Sequence, residues 1–162
     1  MVIRHFTATG YLIWDRGVFL HRHPKIGLWL PPGGHVEINE DPVEAVLREI
    51  KEETGLVASI CEEPPFKNMN FDYPKSITPP RHILEEHIDD PIVGFHHHID
   101  MIYYCKPIDT IEALHQGWKL FSDAELKKTL ELYYQQKDTF DSSLYPPLDV
   151  LTLGIKAIEA TS

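Results

Sequence analysis

Three glutamate side chains crowd together in the segment "EDPVEAVLREIKEETGL", which runs from Glu40 to Leu56. At about 100° per residue, Glu49, Glu52 and Glu53 fall within an arc of roughly 100° on one side of a helix. Carboxylates held this close repel each other unless a hard divalent cation neutralises them, and Mg²⁺ and Mn²⁺ prefer oxygen ligands. A metal site and a solvated acidic face are therefore the two interpretations that these residues allow.

The helix that would hold these glutamates has well-marked ends. Asp41 can cap its first turn, Pro42 suits the first helical position, and Glu44 completes a capping box. Gly55 suits the left-handed residue that follows a helix. The pattern therefore predicts a helix from Pro42 to Thr54. Four apolar residues form an adjacent stripe that would pack into a core: Val43, Val46, Leu47 and Ile50.

The remainder of the chain predicts an alternation of strands and helices. Strands are predicted in "HFTATGYLIW", "GVFLHRH", "LWL", "LVASICEE", "GFHHHIDMIYYC" and "GWKLF", with a turn at Asp15-Arg16-Gly17. Helices are predicted after the Ser of "SDAEL" and across "PPLDVLTLGIKAIEA". The Pro-Pro-Gly-Gly stretch predicts a loop. An insert at about 62–91 is rich in proline with weak periodicity, and loops of this length are usually functional or mobile.

Composition and charge limit the class of protein. The chain has 162 residues, 43% of them hydrophobic, which suits a single domain over 1–162. A formal net charge of −10 argues against binding to a nucleic-acid polymer. Cys61 and Cys105 indicate neither a disulfide framework nor a zinc knuckle. No apolar run approaches the about 20 residues of a membrane span, so we expect a cytoplasmic, unexported protein that needs no membrane.

The three glutamates are part of a longer pattern. Gly34 is followed after five residues by Glu40, and after seven more by Arg48-Glu49-Ile50-Lys51-Glu52-Glu53-Thr54-Gly55-Leu56. This pattern, from Gly34 to Leu56, is the complete Nudix box, and the chain resembles the Nudix hydrolase family. The resemblance implies an α/β fold, specifically a Nudix-type α/β/α sandwich with a mixed β-sheet.

The resemblance also implies a metal-dependent reaction. Family members bind Mg²⁺ or Mn²⁺ and hydrolyse nucleoside diphosphates linked to another moiety. Glu49, Glu52 and Glu53 would be the metal ligands, joined by the backbone carbonyl of Gly33. The residues support this independently, because Gly33 and Gly34 remove side chains where a diphosphate and its metal must approach the backbone. We therefore expect Gly34 to contact the substrate.

Further residues are expected to support or complete the catalytic group. Glu40 and Arg48 should hold the loop and the helix together through an ion pair, without ligating the metal. Glu53 is the first candidate for both ligand and general base. The resemblance also implicates Glu112, which precedes the tryptophan of "IEALHQGW" as an acidic residue does in some family members. An exposed loop position is the alternative for Glu112, and two acids of the insert compete with it, Glu85 and Glu86.

Histidines and cations elsewhere in the chain allow two interpretations each. Arg22, His23 and Lys25 lie shortly before the glycine loop, where they could meet substrate phosphates or form a plain surface turn. In the His96-His97-His98 run, strand alternation sends the middle side chain to the opposite face, so the three cannot bind one ion. We expect that run to line or flank the substrate cleft instead of forming a dedicated metal site.

The resulting prediction is a hydrolase that uses Mg²⁺ or Mn²⁺ to attack a diphosphate linkage with activated water. Its substrate would be a small nucleotide or nucleotide derivative: an oxidised nucleoside triphosphate, ADP-ribose, a dinucleoside polyphosphate or a nucleotide sugar. A homodimer is left open. One rival is a Nudix module that binds a nucleotide without turnover, which degenerate box glutamates would favour. Another is an isoprenoid-diphosphate isomerase, which needs a catalytic cysteine, and neither cysteine here has a supporting motif.

Overall fold

The fold is organised around a mixed β-sheet with helices on both faces. The computed structural model describes residues 1–62, 71–108 and 110–162. The strands found in these ranges are β1 (Arg4–Trp14), β2 (Gly17–Arg22), β3 (Trp29–Leu30), β4 (Gly33–His35), β5 (Ala58–Ile60), β6 (His82–Asp90), β7 (Gly94–Pro107) and β8 (Trp118–Ser122). The helices are α1 (Pro42–Thr54), α2 (Asp123–Gln135) and α3 (Leu148–Thr161).

The two longest strands, β1 and β7, run parallel at the centre of the sheet. Their register extends from Arg4 paired with His97 to Leu12 paired with Cys105. The main path of the sheet is β3-β2-β1-β7-β5, while β4 pairs with β1, β6 with β7 and β8 with β2. Apart from β1 with β7, these pairings are antiparallel. Parallel central strands must be covered on both faces, which explains why β1 and β7 are rich in buried residues.

Each face of the sheet has its own hydrophobic core. On one face, α1 packs Val46 and Ile50 against Leu12 and Tyr103 of the central strands. On the other face, α3 and α2 cover Tyr11 and its neighbours. Residues on opposite sides of a strand alternate, so β1 serves both cores. The predicted α/β/α sandwich with a mixed sheet is confirmed.

The ends of α1 lie where the sequence predicts them. The Asp41 carboxylate accepts hydrogen bonds from the backbone N–H groups of Val43 at 2.9 Å and Glu44 at 3.0 Å. The Asp41 N–H in turn donates a hydrogen bond to the Glu44 carboxylate at 2.9 Å. Gly55 follows in the left-handed region with φ of 80°. These caps fix where the helix begins and ends, and therefore which way its glutamates point.

Two elements differ from the sequence prediction. Part of the predicted Pro-Pro-Gly-Gly loop is β4, whose Gly34 pairs with Ala8 of β1. The insert at 62–91 is not a loop throughout, because its last part forms β6 against β7. Residues 63–70 of that insert lie outside the described ranges. In β6 the inward positions include Glu86 as well as Leu84, so the strand lacks the clean polar and apolar alternation that identifies a half-buried strand.

No helix in the described ranges is both long enough and apolar enough to cross a membrane.

Candidate active site

The guanidinium of Arg48 joins three carboxylates and one carbonyl beside α1. It contacts Glu40 through two bonds, Nη2 to Oε1 at 2.6 Å and Nε to Oε2 at 3.0 Å. It also donates to Glu49 at 2.8 Å, to Glu52 at 3.1 Å and to the carbonyl of His35 at 3.1 Å. The hydrogen bonds from Arg48 lower the pKa of the Glu40 carboxyl. One cation thus offsets part of the repulsion on this helix face and ties the β4 loop to α1.

Glu53 is a half-buried glutamate of the box, and one of its carboxylate oxygens is fully buried without a hydrogen-bond partner among the described residues. Burial, reinforced by the charge of Glu49, raises the pKa of Glu53 to about 7, although a hydrogen bond from the Gly33 N–H opposes this shift. Its Oε2 is buried and accepts no hydrogen bond from any described residue. A buried acceptor without a partner is costly, so this oxygen is suited to receive a cation or a proton.

The carbonyl of Glu53 fixes the end of the helix to the loop that precedes β8. His115 Nδ1 lies 2.9 Å from that carbonyl oxygen, and the indole N–H of Trp118 donates to it at 3.1 Å. Last-turn carbonyls have no partner within their own helix, so these two donors replace the missing bonds. The position of the Glu53 backbone is therefore set by residues distant in sequence.

The two glycines of the loop allow β4 to lie directly against its neighbours. A Cβ at Gly34 would lie 2.3 Å from Oε1 of Glu49. A Cβ at Gly33 would lie 2.6 Å from the hydroxyl of Thr9 and 2.8 Å from the backbone oxygen of Ala8. Neither glycine needs a positive φ here, so the requirement is space for a close approach.

Gly34→Ala is therefore expected to impair activity more than stability. The clash at Gly34 is with the flexible end of Glu49, which can swing away, while the clash at Gly33 is with backbone. We expect Gly34→Ala to lower kcat/KM about tenfold by displacing Glu49, with little change in the melting temperature. Gly33→Ala, measured alongside, should lower the melting temperature instead. Equal activity for Gly34→Ala and wild type would mean that the position of Glu49 does not matter.

A cavity of about 810 Å³ lies beside this site. Gly33 and three residues of the Nudix box, Gly34, His35 and Glu53, line it, and within the described ranges neither Glu49 nor Glu52 is part of its wall. Strands β6 and β7, with helix α3, supply many of the other lining residues: Leu84, Glu86, Ile88, Asp89, Asp90, His98, Asp100, Ile102, Asp149, Val150 and Leu153. A cavity of this volume can hold a nucleotide-sized ligand.

Five acids among the described residues of the cavity wall lie outside the box, and three of them, Glu86, Asp100 and Asp149, interact with one another. Asp100 on β7 is buried and accepts hydrogen bonds from the hydroxyls of Thr7 at 2.9 Å and Thr9 at 3.0 Å. Burial raises the pKa of Asp100, and it raises the pKa of Glu86 to about 7, with the charges of Asp100 and Asp149 adding to the latter shift. Sequence reasoning missed Asp100 and Asp149, although the central position of Asp100 in an apolar strand was an available signal.

Glu86→Gln should stabilise the folded protein at alkaline pH. A carboxyl whose pKa is raised on folding destabilises the fold as pH rises from about 4.5 to about 7, because the folded state holds its proton longer. Removing the charge should raise the free energy of unfolding at pH 8 by about 1–2 kcal/mol, which is reduced from the full linkage value because the group is partly hydrated. Below pH 4.5 the two proteins should be equally stable.

Urea denaturation across this pH range measures the effect. Glu85→Gln is the matched control, because Glu85 is the neighbouring acid on the exposed side of β6. Hydrogen bonding to His97 lowers the pKa of Glu85, so its removal should give no stabilisation at pH 8. A Glu86→Gln protein that is no more stable than wild type at pH 8 would contradict the electrostatic assignment.

The predicted cations divide between the cavity and the surface. His23 and Lys25 line the cavity. Arg22 is exposed and donates to the carbonyl of Gly27 at 3.1 Å, so it holds its own turn, and it is not among the described residues of the cavity wall. Glu112 is also exposed and, within the described ranges, lies outside that wall.

The histidine run separates as strand alternation predicts. His97 Nδ1 lies 2.7 Å from the carboxylate of Glu85 on one side of the sheet. His96 and His98 are directed to the other side, where His98 lines the cavity and His96 Nε2 lies 3.1 Å from His98 Nε2. His5 joins them from β1, a neighbour that sequence spacing could not indicate.

Comparison with known proteins identifies the family. The fold and the box define a NUDIX-type α/β/α domain, and the family model of the NUDIX domain matches residues 4–141. The chain belongs to this family. A NUDIX-family hydrolase from Clostridium perfringens has a crystal structure that is similar with a TM-score of 0.77 and 26% identity, covering 99% of this chain and 100% of that one.

Two other proteins resemble this chain, one in its overall fold and one in a short stretch of sequence. The crystal structure of a C. elegans Ap4A hydrolase matches with a TM-score of 0.52 and 17% identity, over 99% of this chain and 96% of that one, which is a likeness of fold. The m7GpppN-mRNA hydrolase NUDT17 of Xenopus laevis is 51% identical over 45 residues, or 28% of this chain. That match spans 14% of the length of the Xenopus protein.

Proposed function

We propose that this chain, as one NUDIX domain, hydrolyses a diphosphate linkage in a small nucleotide or nucleotide derivative with the help of Mg²⁺ or Mn²⁺. The observation that carries the proposal is the buried Oε2 atom of Glu53, which has no hydrogen-bond partner among the described residues and belongs to the same helix as Glu49 and Glu52. Three carboxylates at such spacing are suited to a hard cation with oxygen preference.

The oxygen donors of these residues match the ligand preference of such a cation, although among the described residues the three carboxylates are not drawn together with their ligand atoms all within 4.8 Å of one another. Glu49, Glu52 and Glu53 would hold it together with the backbone carbonyl of Gly33, and Gly34 leaves the space that a Cβ would fill. When bound, the cation neutralises phosphate oxygens and lowers the pKa of the attacking water. Membership of the NUDIX family supports this ligand set, because the box residues of the family are all present in this sequence.

The protein's own residues prepare this reaction in three ways. Arg48 holds Glu49 and Glu52 in place through hydrogen bonds from one guanidinium nitrogen, Nη1. Glu53 has a buried carboxylate oxygen without a hydrogen-bond partner among the described residues, and this oxygen can bind the cation or accept a proton from the attacking water, as a general base does. Among the lining residues, His23 and Lys25 supply donors that can meet substrate phosphates, and they partly offset the acidic wall.

The cavity supports the proposed substrate class. Its volume accommodates a nucleotide, and the part of the insert that forms β6 lines it with Leu84 and Ile88. We propose that β6 discriminates among substrates, since several of its side chains lie in the wall and none of them is a proposed metal ligand. An oxidised nucleoside triphosphate, ADP-ribose, a dinucleoside polyphosphate and a nucleotide sugar are the candidates to compare.

A substrate panel tests this function. The purified chain is incubated with each candidate class in Mg²⁺ and in Mn²⁺, and the released nucleoside monophosphate or phosphate is measured. We expect at least one class to be turned over with cleavage at a phosphoanhydride bond. Hydrolysis in ¹⁸O-labelled water should place the label on a phosphoryl product. If the protein binds panel members but hydrolyses none of them, the result would favour a non-catalytic nucleotide-binding module.

A further inference from the structure

Three imidazole side chains meet on the side of the sheet that faces the cavity. His5 of β1 pairs in register with His98 of the parallel strand β7, and His96 lies two residues before His98 on the same face. One candidate ligand atom from each ring lies within 4.8 Å of the other two. This histidine cluster, His5, His96 and His98, is assembled by the β1–β7 pairing and not by sequence proximity.

The hydrogen bonds of the cluster fix which nitrogen of His96 carries the proton and which carries the lone pair. His96 Nδ1 lies 2.8 Å from the carbonyl oxygen of Gly94, which can only accept, so this nitrogen carries the proton. The lone pair of His96 is therefore on Nε2, which accepts a hydrogen bond from His98 Nε2 at 3.1 Å, so a bound cation would take the place of the proton between the two rings. Metal-binding histidines usually donate their second ring N–H to a carbonyl or carboxylate, as His96 does here.

The other two rings also have nitrogen atoms available. His5 Nδ1 is buried and has no hydrogen-bond partner in the described part of the chain. Burial, with smaller contributions from the neighbouring imidazoles, lowers the pKa of His98 to about 4 and keeps its ring neutral at neutral pH. Neutral imidazole is the form that ligates metals.

We propose that His5, His96 and His98 form a binding site for a borderline-soft divalent cation of the Zn²⁺ class, separate from the glutamate site. A zinc ion takes imidazole nitrogens at about 2.0–2.1 Å, which places two ligands of a tetrahedral site about 3.3 Å apart. The observed separation of 3.1 Å between the two Nε2 atoms is close to this requirement. Three protein ligands leave a fourth position for water or a substrate group.

The two cation sites differ in chemistry. Imidazole selects Zn²⁺, Cu²⁺ or Ni²⁺, whereas Mg²⁺ prefers the oxygens of the glutamates. The histidine cluster borders the cavity through His98 and adjoins His35, whose ring centroid lies 4.9 Å from that of His98. Because His35 and His98 line the same cavity as Gly34 and Glu53, an ion in the cluster would border the cavity that the box residues line.

A second group on the opposite face, Glu85, His87 and His97, provides an internal control. Its candidate ligand atoms are also close together. However, the Oε1 atom of Glu85 already accepts contacts from Arg4 at 3.3 Å and His97 at 2.7 Å. His97 is one residue away from both His96 and His98, so it matches them in sequence context while facing away from them.

The experiment uses the full chain with any polyhistidine tag removed, stripped of metal and then held in excess Mg²⁺ to fill the glutamate site. Zn²⁺ is titrated by calorimetry, and Co²⁺ is used as a spectroscopic probe of imidazole ligation. We expect one equivalent of Zn²⁺ to bind with a Kd in the micromolar range or below, and to raise the melting temperature. His98→Ala and His5→Ala should each weaken binding by at least about tenfold.

The matched variant His97→Ala should bind Zn²⁺ as wild type does. Two variants from different strands keep the test valid if one of them folds poorly, and circular dichroism identifies such a case. Unchanged Zn²⁺ affinity in folded His98→Ala and His5→Ala would overturn the proposal. Loss of binding in His97→Ala, or displacement of Zn²⁺ by Mg²⁺, would overturn it as well, because the ion would then lie elsewhere. None of these readouts depends on hydrolytic activity.

Discussion

Glu53→Gln should lower kcat by about 10³-fold, within the range for loss of a general base, without lowering stability. Glutamine has nearly the same shape and helix propensity, so α1 should remain intact. It can still accept the bond that the Gly33 N–H gives to Glu53. What it removes is the buried negative charge, which the proposed mechanism needs for both the cation and the proton. Since that charge also repels Glu49, the melting temperature should stay constant or rise.

Glu112→Gln is the matched comparison for that experiment. Glu112 is an exposed loop acid outside the described cavity wall, so we expect its removal to lower kcat by less than about threefold, well short of general-base loss. Steady-state kinetics on the best substrate of the panel measures both variants. A Glu53→Gln enzyme with nearly normal kcat would remove the box from the catalytic centre. A fall of about 10² or more in Glu112→Gln, with Glu53→Gln active, would make Glu112 the general base.

Arg48→Ala should damage both activity and stability. The guanidinium contacts Glu40, Glu49 and Glu52 and also the loop carbonyl of His35. Without it, three carboxylates lose their shared counter-ion, and the tie between α1 and the β4 loop is broken. We expect a loss of about 1–2 kcal/mol in the free energy of unfolding, because the network is only partly shielded from water. Misplaced ligands should lower kcat/KM by up to about 100-fold.

Arg48→Lys separates charge from geometry. Lysine keeps the positive charge but cannot form the two-bond contact with Glu40. We therefore expect Arg48→Lys to retain most of the stability and to recover only part of the activity. Excess Mg²⁺ should improve Arg48→Ala more than wild type, since cation binding would replace some of the lost charge compensation. If Arg48→Ala matched wild type in unfolding and in kinetics, the network would have no positioning role.

Some parts of this architecture could be predicted from sequence because their causes are local. The bounds of α1 follow from Asp41, Glu44 and Gly55, each of which acts within one turn of the helix end. The turn at residues 15–17 follows from its short polar sequence, and Asp15 and Arg16 adopt positive φ values of 40° and 56° there. The crowded glutamates were likewise visible because helical periodicity brings residues 49, 52 and 53 together.

Other parts depend on contacts between distant segments. β6 was predicted as loop because its inward face carries Glu86 among apolar residues, and only the pairing with β7 shows it to be a strand. The meeting of His5 with His98 depends on parallel register between strands more than 80 residues apart in sequence. The orphaned oxygen of Glu53 is likewise invisible in sequence, since it results from burial by several segments.

The most direct test of the central claim is the requirement for a divalent cation during turnover. The purified chain is stripped with a chelator, assayed with its best substrate, and assayed again after Mg²⁺ or Mn²⁺ is restored. The proposed mechanism predicts no measurable hydrolysis in the stripped protein, because clustered carboxylates alone repel a phosphate substrate. It predicts recovery on adding either cation, and no recovery in Glu53→Gln. Undiminished turnover in excess chelator would contradict the assignment of the glutamates as a catalytic metal site.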